Sequence, residues 1–308
     1  MNESRYRSAE RDYLNSLGIE PSERLVVLES TGTRVRVQEV GGGPTVLLIH
    51  GASNSGVSWA PLVAELPDLR CVMVDRPGCG LSEALPRRFA DIAALETYAD
   101  GFVAALLDAL ELPSALVIAT SLGGYLTLRS AATHPTRIER IALIGAPFGV
   151  APSQLPVAMR MSAIPGLGPL MARIPPSRGA VRAVLRQAGL RDAIDAGRVN
   201  DTFVDCFRSL LRDTPTMLNE IQAGPRIISP WSGMDPRIVL GPDVLARIVQ
   251  PVGLLWGDHD ILGGPAVAET FASSLPNCEL EVMRGAGHAP WIDDPAHAAT
   301  RSREWLLA

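Results

Sequence analysis

Eight apolar, mostly β-branched runs recur along the chain and alternate with stretches of helical periodicity. The first two runs alternate apolar with polar residues and are joined by Thr31-Gly32-Thr33, which predicts a hairpin. The later runs are almost continuously apolar, as in parallel strands that helices cover on both faces. This order predicts a mostly parallel, doubly wound α/β sheet of eight strands with an antiparallel start. The runs are RLVVLES, RVRVQEV, TVLLIHG, CVMVD, ALVIATS, IERIALIGA, VGLLWGD and CELEVM.

The alternation of strands and helices is interrupted once, between residues 147 and 248. This stretch contains several helical pieces broken by Pro-Gly and Pro-Pro, and no convincing strand. It predicts an inserted helical cap, or lid, over the carboxyl ends of the strands, where ligands bind in such sheets. Residues 21–146 and 249–308 would then form the core, and residues 1–20 an N-terminal helical extension.

Composition and charge exclude several classes of function. The net charge of −5 argues against a nucleic-acid partner, because such proteins need a basic stripe. No apolar run approaches the roughly 20 residues that span a bilayer. The first residues are polar, unlike a signal peptide, so we expect a cytoplasmic protein with no membrane partner. The chain has no lysine, which excludes a Schiff-base lysine and the lysine of a P-loop.

The four cysteines are scattered and form no C-x-x-C pair, so they indicate neither a disulfide framework nor a zinc site. We therefore predict buried free thiols and no metal. Nor does any motif call for an organic cofactor.

The stretch VIATSLGGYL places Ser121 where an apolar strand turns directly into a helix. A nucleophile on such a turn needs small neighbours, because the strand and the helix pack too closely for side chains. Ala119, Gly123 and Gly124 meet this need, and the pattern G-x-S-x-G is relaxed by one methyl group to A-x-S-x-G. We predict that Ser121 is a nucleophile.

A serine hydroxyl needs a base, which is normally a histidine held by a carboxylate. His288 lies in the glycine-rich loop RGAGHAP after the last predicted strand and is the predicted base. Asp258 and Asp260 both follow the VGLLWG strand, and the residues alone leave either one open as the acid. Four other histidines are interpreted as structural or solvated: His50, His134, His259 and His297.

The chain order of serine, acid and histidine resembles the α/β-hydrolase superfamily, and the resemblance runs from about residue 24 to the end. In that family the acid follows a G-x-x-D pattern at a strand end. Gly257 to Asp260 matches this pattern, so the resemblance assigns Asp260 as the acid and keeps Asp258 in reserve. The family's fold implies an α/β-hydrolase core with a helical cap and a triad of Ser121, Asp260 and His288.

Two further motifs carry the same resemblance. LLIHGASNSG is similar to the family's oxyanion loop and implies the backbone N–H groups of Ala52 and Leu122 as oxyanion donors. DRPGCGLSE, residues 75–83, resembles the family's D-x-x-G-x-G-x-S turn, and we interpret it as support for the fold. Five residues are predicted as substrate contacts: Ser53, Asn54, Trp59, Trp231 and Trp291.

The predicted function is a serine hydrolase that cleaves a carboxylic ester, thioester or lactone of a small to medium apolar substrate through an acyl-enzyme. One alternative is a carbon–carbon bond hydrolase of the meta-cleavage type. HGASNS departs from the H-G-x-G-P-G loop common in that group, and this departure makes carbon–carbon bond cleavage the less favoured activity. The other alternative is a ligand-binding or lyase-type member that does not hydrolyse its ligand. The expected partner is a small molecule, and a homodimer is left open.

Overall fold

The computed structural model confirms the predicted sheet, with strands at each of the eight apolar runs. The strands are β1 (Ser22–Leu28), β2 (Thr33–Val40), β3 (Thr45–Ile49), β4 (Arg70–Val74), β5 (Ala115–Thr120), β6 (Ile138–Pro147), β7 (Ile228–Ser229), β8 (Gly233–Met234), β9 (Val252–Gly257) and β10 (Cys278–Met283). The structure describes residues 1–150, 155, 160, 161, 163, 164, 166, 168, 170, 172–222, 227–229, 231 and 233–308.

Helices alternate with the strands of the main sheet, as the stretches of helical periodicity predict, and further helices lie between β6 and β9. They are α1 (Glu3–Ser16), α2 (Ala60–Val63), α3 (Ile92–Ala109), α4 (Ser121–Thr133), α5 (Arg178–Gln187), α6 (Arg191–Asp195), α7 (Asp201–Asp213), α8 (Thr216–Gln222), α9 (Pro242–Leu245), α10 (Pro265–Ser273), α11 (Pro290–Asp293) and α12 (Pro295–Leu307). Among the described residues, no helix combines the length and the apolar composition that a membrane span requires.

The main sheet has the strand order β1-β2-β4-β3-β5-β6-β9-β10. β1 pairs antiparallel with β2, and β2 pairs antiparallel with β4. The remaining neighbours are parallel, so the carboxyl ends of β3, β5, β6 and β9 meet at one edge of the sheet. The residues that follow these strands are therefore brought close together.

Alternate residues of the central strands pack on opposite faces. Leu47 and Ile49 of β3 belong to a core cluster that includes α3 and α4, whereas Val46 and Leu48 belong to a cluster that includes α2 and α12. All six residues of β5 are buried. Burial on both faces is what the continuous apolar runs predicted.

The chain between β6 and β9 holds helices α5 to α9 and a short ribbon. The ribbon pairs β7 with β8 and differs from the expectation that this stretch has no strand. Each of its strands has only two residues, too few for a periodic signal in the sequence. The predicted cap boundaries at residues 147 and 248 stay a prediction.

The N-terminal helix α1 packs on α7. The rings of Tyr13 and Phe203 meet edge to face at 5.4 Å, and the Asn2 N–H donates to the Asp213 carbonyl at 2.8 Å. The Tyr6 hydroxyl lies 3.0 Å from the Ser55 hydroxyl, which belongs to the loop after β3. Helix α1 therefore joins α7 to the core of the protein.

A buried arginine ties α1 to the sheet. Arg36 of β2 is 1% exposed, and its guanidinium donates to Glu10 at 2.9 Å, to Glu23 at 2.6 Å and to Asp75 at 3.3 Å. Glu10 and Asp75 are buried as well. Because an unpaired charge in the interior is costly, the burial of these carboxylates requires the positive charge of Arg36.

We expect Arg36→Met to lower the free energy of unfolding by about 3–5 kcal/mol, because it leaves buried carboxylates without a counter-charge. Urea unfolding followed by circular dichroism measures this change. Arg34→Met is the matched control, since Arg34 lies two residues earlier on β2 and pairs with Glu83 at the surface. A similar loss in both variants would contradict the role given to the buried cluster.

Candidate active site

Ser121 is the first residue of α4 and directly follows β5, with a φ of 50°. This left-handed conformation is strained for a residue other than glycine and is typical of a nucleophile turn. A Cβ atom at Gly123 would lie 2.1 Å from the carbonyl oxygen of Ile49, so only glycine lets α4 approach β3. The Phe148 N–H donates to the Ser121 carbonyl at 2.8 Å and holds the turn against the end of β6.

His288 and Asp260 form a pair. The Nδ1 atom of His288 lies 2.9 Å from each carboxylate oxygen of Asp260. Asp260 is buried, and its carboxylate also accepts the Leu262 N–H at 2.8 Å and the Ala146 N–H at 3.0 Å. These bonds fix the carboxylate, and the carboxylate in turn orients the imidazole.

The pair controls the protonation of His288. Burial of the imidazole lowers its pKa, but the charge of Asp260 and the hydrogen bond to it outweigh burial, so the pKa lies above the ordinary value of 6.5. Asp260 therefore stabilises the protonated imidazole, which is the form that a base takes when it accepts a proton during a reaction.

Asp258 faces another way. Its Oδ1 atom accepts the Gly285 N–H at 2.8 Å, and its side chain is partly exposed beside His259. The structure therefore brings His288 together with Asp260 and not with Asp258. His259 is 67% exposed, and His297 pairs with Glu281.

The loop after β3 passes against Ser121. A Cβ atom at Gly51 would lie 2.9 Å from the Cβ atom of Ser121. Ala52 is the next residue of this loop. Leu122 is the second residue of α4, so its N–H is among those that find no acceptor within the helix. The predicted donors, the N–H groups of Ala52 and Leu122, therefore each directly follow one of two residues that pack against each other, Gly51 and Ser121.

The two polar residues predicted as substrate contacts lie in the same loop. The Ser53 N–H donates to Glu220 at 3.4 Å, and its hydroxyl contacts the sulfur of Met217 at 3.6 Å. The Asn54 side chain accepts the Ser55 N–H at 3.0 Å. These contacts leave both residues beside the candidate site but engage them with the protein itself.

The three tryptophans predicted as pocket walls do not form a wall. The rings of Trp59 and Trp291 lie 4.3 Å apart inside the core, tilted by 35°, and each residue is at most 3% exposed. Trp231 is 87% exposed, so it encloses little space. The buried rings of Trp59 and Trp291 have no free face for a substrate, and the exposed ring of Trp231 does not enclose one. We therefore leave all three out of the proposed contacts.

Sequence reasoning missed the contacts that α8 makes with the turn 75–83. Asn219 donates to the Gly78 carbonyl at 2.9 Å, and Thr216 accepts the Gly80 N–H at 2.9 Å. Glu220 accepts from Arg76 at 3.0 Å. The turn, interpreted from the sequence as support for the fold, thus also seats α8. No motif in the sequence of α8 indicated these contacts.

A second contact joins α5 to the loop of His288. The His288 N–H donates to the Ala188 carbonyl at 3.0 Å. Gly189 and Gly287 touch so closely that a Cβ atom on either would lie 2.6 Å or less from the other's backbone. The segment after α5 therefore helps to place the histidine. On the opposite side, Asp293 accepts the Gly287 N–H at 2.9 Å.

The described residues show no group of three or more His, Cys, Asp or Glu side chains placed to hold a metal ion. All four cysteines are free; Cys71, Cys79 and Cys206 are buried as predicted, whereas Cys278 is only half-buried.

Comparison with known proteins decides the family. A sequence model described as the alpha/beta hydrolase family matches residues 46–300. The chain belongs to the alpha/beta hydrolase family. This hydrolase is similar to a pimeloyl-[acyl-carrier protein] methyl ester esterase of Xanthomonas campestris, with 29% identity over 282 residues that cover 89% of this chain and 99% of the relative.

Two more proteins resemble the hydrolase over most of its length. An uncharacterised protein of Mycobacterium tuberculosis is 28% identical over 270 residues, which cover 86% of this chain and 76% of that protein. The solved structure of a carboxylesterase from Bacillus subtilis superposes with a TM-score of 0.76 at 19% identity and covers 99% of this chain and 98% of its own. That likeness shows the fold. Together these findings confirm the resemblance and the α/β-hydrolase fold that the sequence predicted.

The hydrolase should lose activity as the pH falls through the pKa of His288, because the protonated imidazole cannot accept a proton. The wild-type limb of kcat/KM for ester hydrolysis is expected above pH 6.5, where Asp260 places it. Asp260→Asn removes the charge that raises the pKa of His288, so the limb moves to lower pH, and kcat falls by about 10³–10⁴-fold.

Two controls separate this effect from others. Asp258→Asn keeps an acceptor for the Gly285 N–H and should retain most of the activity. Burial raises the pKa of Asp293 to about 6, against the hydrogen bond from Gly287, so Asp293 also titrates near the limb. Asp293→Asn should leave the limb in place. Loss of activity in Asp258→Asn, with Asp260→Asn nearly unaffected, would overturn the assignment of the acid.

Proposed function

We propose that this carboxylic-ester hydrolase works through a triad of Ser121, His288 and Asp260. Ser121 attacks the ester carbonyl while His288 takes its proton, and the imidazolium then gives that proton to the leaving alcohol. Water hydrolyses the acyl-enzyme with the same histidine as base. The Ala52 and Leu122 N–H groups hold the oxyanion. The observation that carries the proposal is the His288–Asp260 pair, at 2.9 Å, in a fold that also holds Ser121 at a φ of 50° on the turn between β5 and α4.

The proposed substrate is an ester with a small to medium apolar group. A narrow apolar cleft of only about 10 Å³ lies beside Asn54 of the loop after β3, and its lining includes Tyr13 of α1, Val57, and Phe203, Phe207 and Leu210 of α7. Such a lining favours hydrocarbon over charged groups. Relatives named as methyl ester esterases support ester chemistry. The pimeloyl group in their names is not proposed as the substrate of this protein.

The first test is covalent labelling of the serine. Fluorophosphonate should add one adduct to the wild-type protein and none to Ser121→Ala, as read by intact-protein mass. Ser274→Ala, which replaces an exposed serine after α10, should label like the wild type. Labelling that persists in Ser121→Ala, or a wild type that does not label, would contradict the proposed nucleophile.

The second test is a series of p-nitrophenyl esters. The highest kcat/KM is expected for short to medium acyl chains, and Phe207→Ala should move the optimum to longer chains because it widens the cleft. Phe89→Ala is the control, since Phe89 packs against Tyr98 and not on the cleft. An unchanged optimum in Phe207→Ala would remove the cleft from the proposal. Turnover of a dienoic ketone with no ester hydrolysis would favour carbon–carbon bond cleavage instead.

A further inference from the structure

The peptide that joins Gly51 to Ala52 is held from its carbonyl side by two donors. The Gly51 carbonyl oxygen lies 2.7 Å from Nδ1 of His50 and 2.9 Å from Nη2 of Arg76. The N–H at the other end of this peptide belongs to Ala52. We infer that Arg76 and His50 are positioning residues of the oxyanion hole, acting through the Gly51–Ala52 peptide, an inference that rests on the proposed function.

The protonation of His50 follows from its neighbours. The Arg76 backbone N–H points at Nε2 of His50 from 3.0 Å, so Nε2 accepts. The hydrogen of the neutral ring therefore lies on Nδ1 and is donated to the Gly51 carbonyl. Burial and the charge of Arg76 hold the pKa of His50 well below its usual range, so the ring is neutral and this pattern is kept.

The guanidinium of Arg76 spans two successive carbonyls. Nε donates to the His50 carbonyl at 3.0 Å while Nη2 donates to the Gly51 carbonyl. Two bonds from one planar group fix two successive peptide planes relative to each other, which a single flexible donor cannot do. The side chain is almost fully buried, so solvent does not compete for these bonds.

Hydrogen bonds donated to a peptide carbonyl also make the N–H of the same peptide group a stronger hydrogen-bond donor. Hydrogen bonds in such chains polarise one another by roughly 10–30% each. A charged donor polarises more than a neutral one. Arg76 and His50 thus make the Ala52 N–H a better donor to an oxyanion, and they aim it without touching the substrate.

The counter-charge comes from α8. One oxygen of Glu220 accepts from Arg76 at 3.0 Å, and the other accepts the Ser53 N–H at 3.4 Å. Ser53 has a φ of 55°, a strained conformation for serine. Glu220 therefore holds the residue after Ala52 directly and the residue before it through Arg76. The placement of α8 is in this way coupled to the oxyanion donor.

The test compares an ester with its thionoester, in which sulfur replaces the carbonyl oxygen. Sulfur is a weak acceptor, so the thionoester gains little from the oxyanion hole. Arg76→Lys keeps the charge but loses the planar fork, and kcat for the ester should fall about 10-fold with KM nearly unchanged, less than the loss of a whole donor. The ratio of ester to thionoester kcat should fall by a similar factor.

Two further variants complete the design. Glu220→Gln keeps the shape of the side chain and removes its charge, so a loss of about threefold in the same ratio is expected. It also keeps the inference testable if Arg76→Lys does not fold, as judged by circular dichroism and Tm. Arg129→Lys is the matched control: Arg129 is a mostly buried arginine that binds Asp100 and Glu96 on α3, and its replacement should leave the ratio unchanged.

An equal loss for both substrates, or a rise in KM alone, would show that Arg76 only supports the fold and would overturn the inference. So would an unchanged ratio in Arg76→Lys and Glu220→Gln. These results are distinct from failure of the proposed function, which an unlabelled wild-type Ser121 would show. A labelled wild type with unaffected ratios would reject the positioning role alone.

Discussion

The approach of α4 to the end of β3 is the constraint on which the candidate site depends. Gly123 lets the helix backbone reach the Ile49 carbonyl, and this contact forces Ser121 into a left-handed turn at the edge of the sheet. The loop after β3 is thereby brought against the serine. One close packing of backbone on backbone thus places both the proposed nucleophile and the donors proposed for its oxyanion.

The strain at this turn is held by the structure around it. Strained conformations persist only where neighbouring packing and hydrogen bonds determine them, and the Phe148 N–H and the fully buried β5 supply both. On the other side of the site, Asp260 is held by two backbone N–H groups before it binds His288. Each proposed catalytic group is therefore oriented before a substrate arrives, as effective electrostatic catalysis requires.

The helices between β6 and β9 are joined to the loops of the site by hydrogen bonds. The Ala188 carbonyl accepts the His288 N–H, and Glu220 binds the loop after β3 both directly and through Arg76. Helix α1 packs on α7 and reaches the same loop through Tyr6. A movement of these helices would consequently shift His288 and the loop after β3.

The sequence by itself determined the eight strands of the main sheet, the helices α3, α4, α10 and α12 and the position of Ser121, because continuous apolar runs, helical periodicity and small residues around a serine are local signals. The residues alone left Asp258 and Asp260 open, since both follow β9; the family resemblance favoured Asp260, and it is Asp260 that contacts His288. The sequence could not place Trp59 or Trp291 in the core, because an apolar ring suits a core and a pocket equally well. Nor did it indicate Glu220 or the double hold on the Gly51 carbonyl. Those depend on segments far apart in the chain meeting at one edge of the sheet, and only the tertiary structure decides which distant groups meet there.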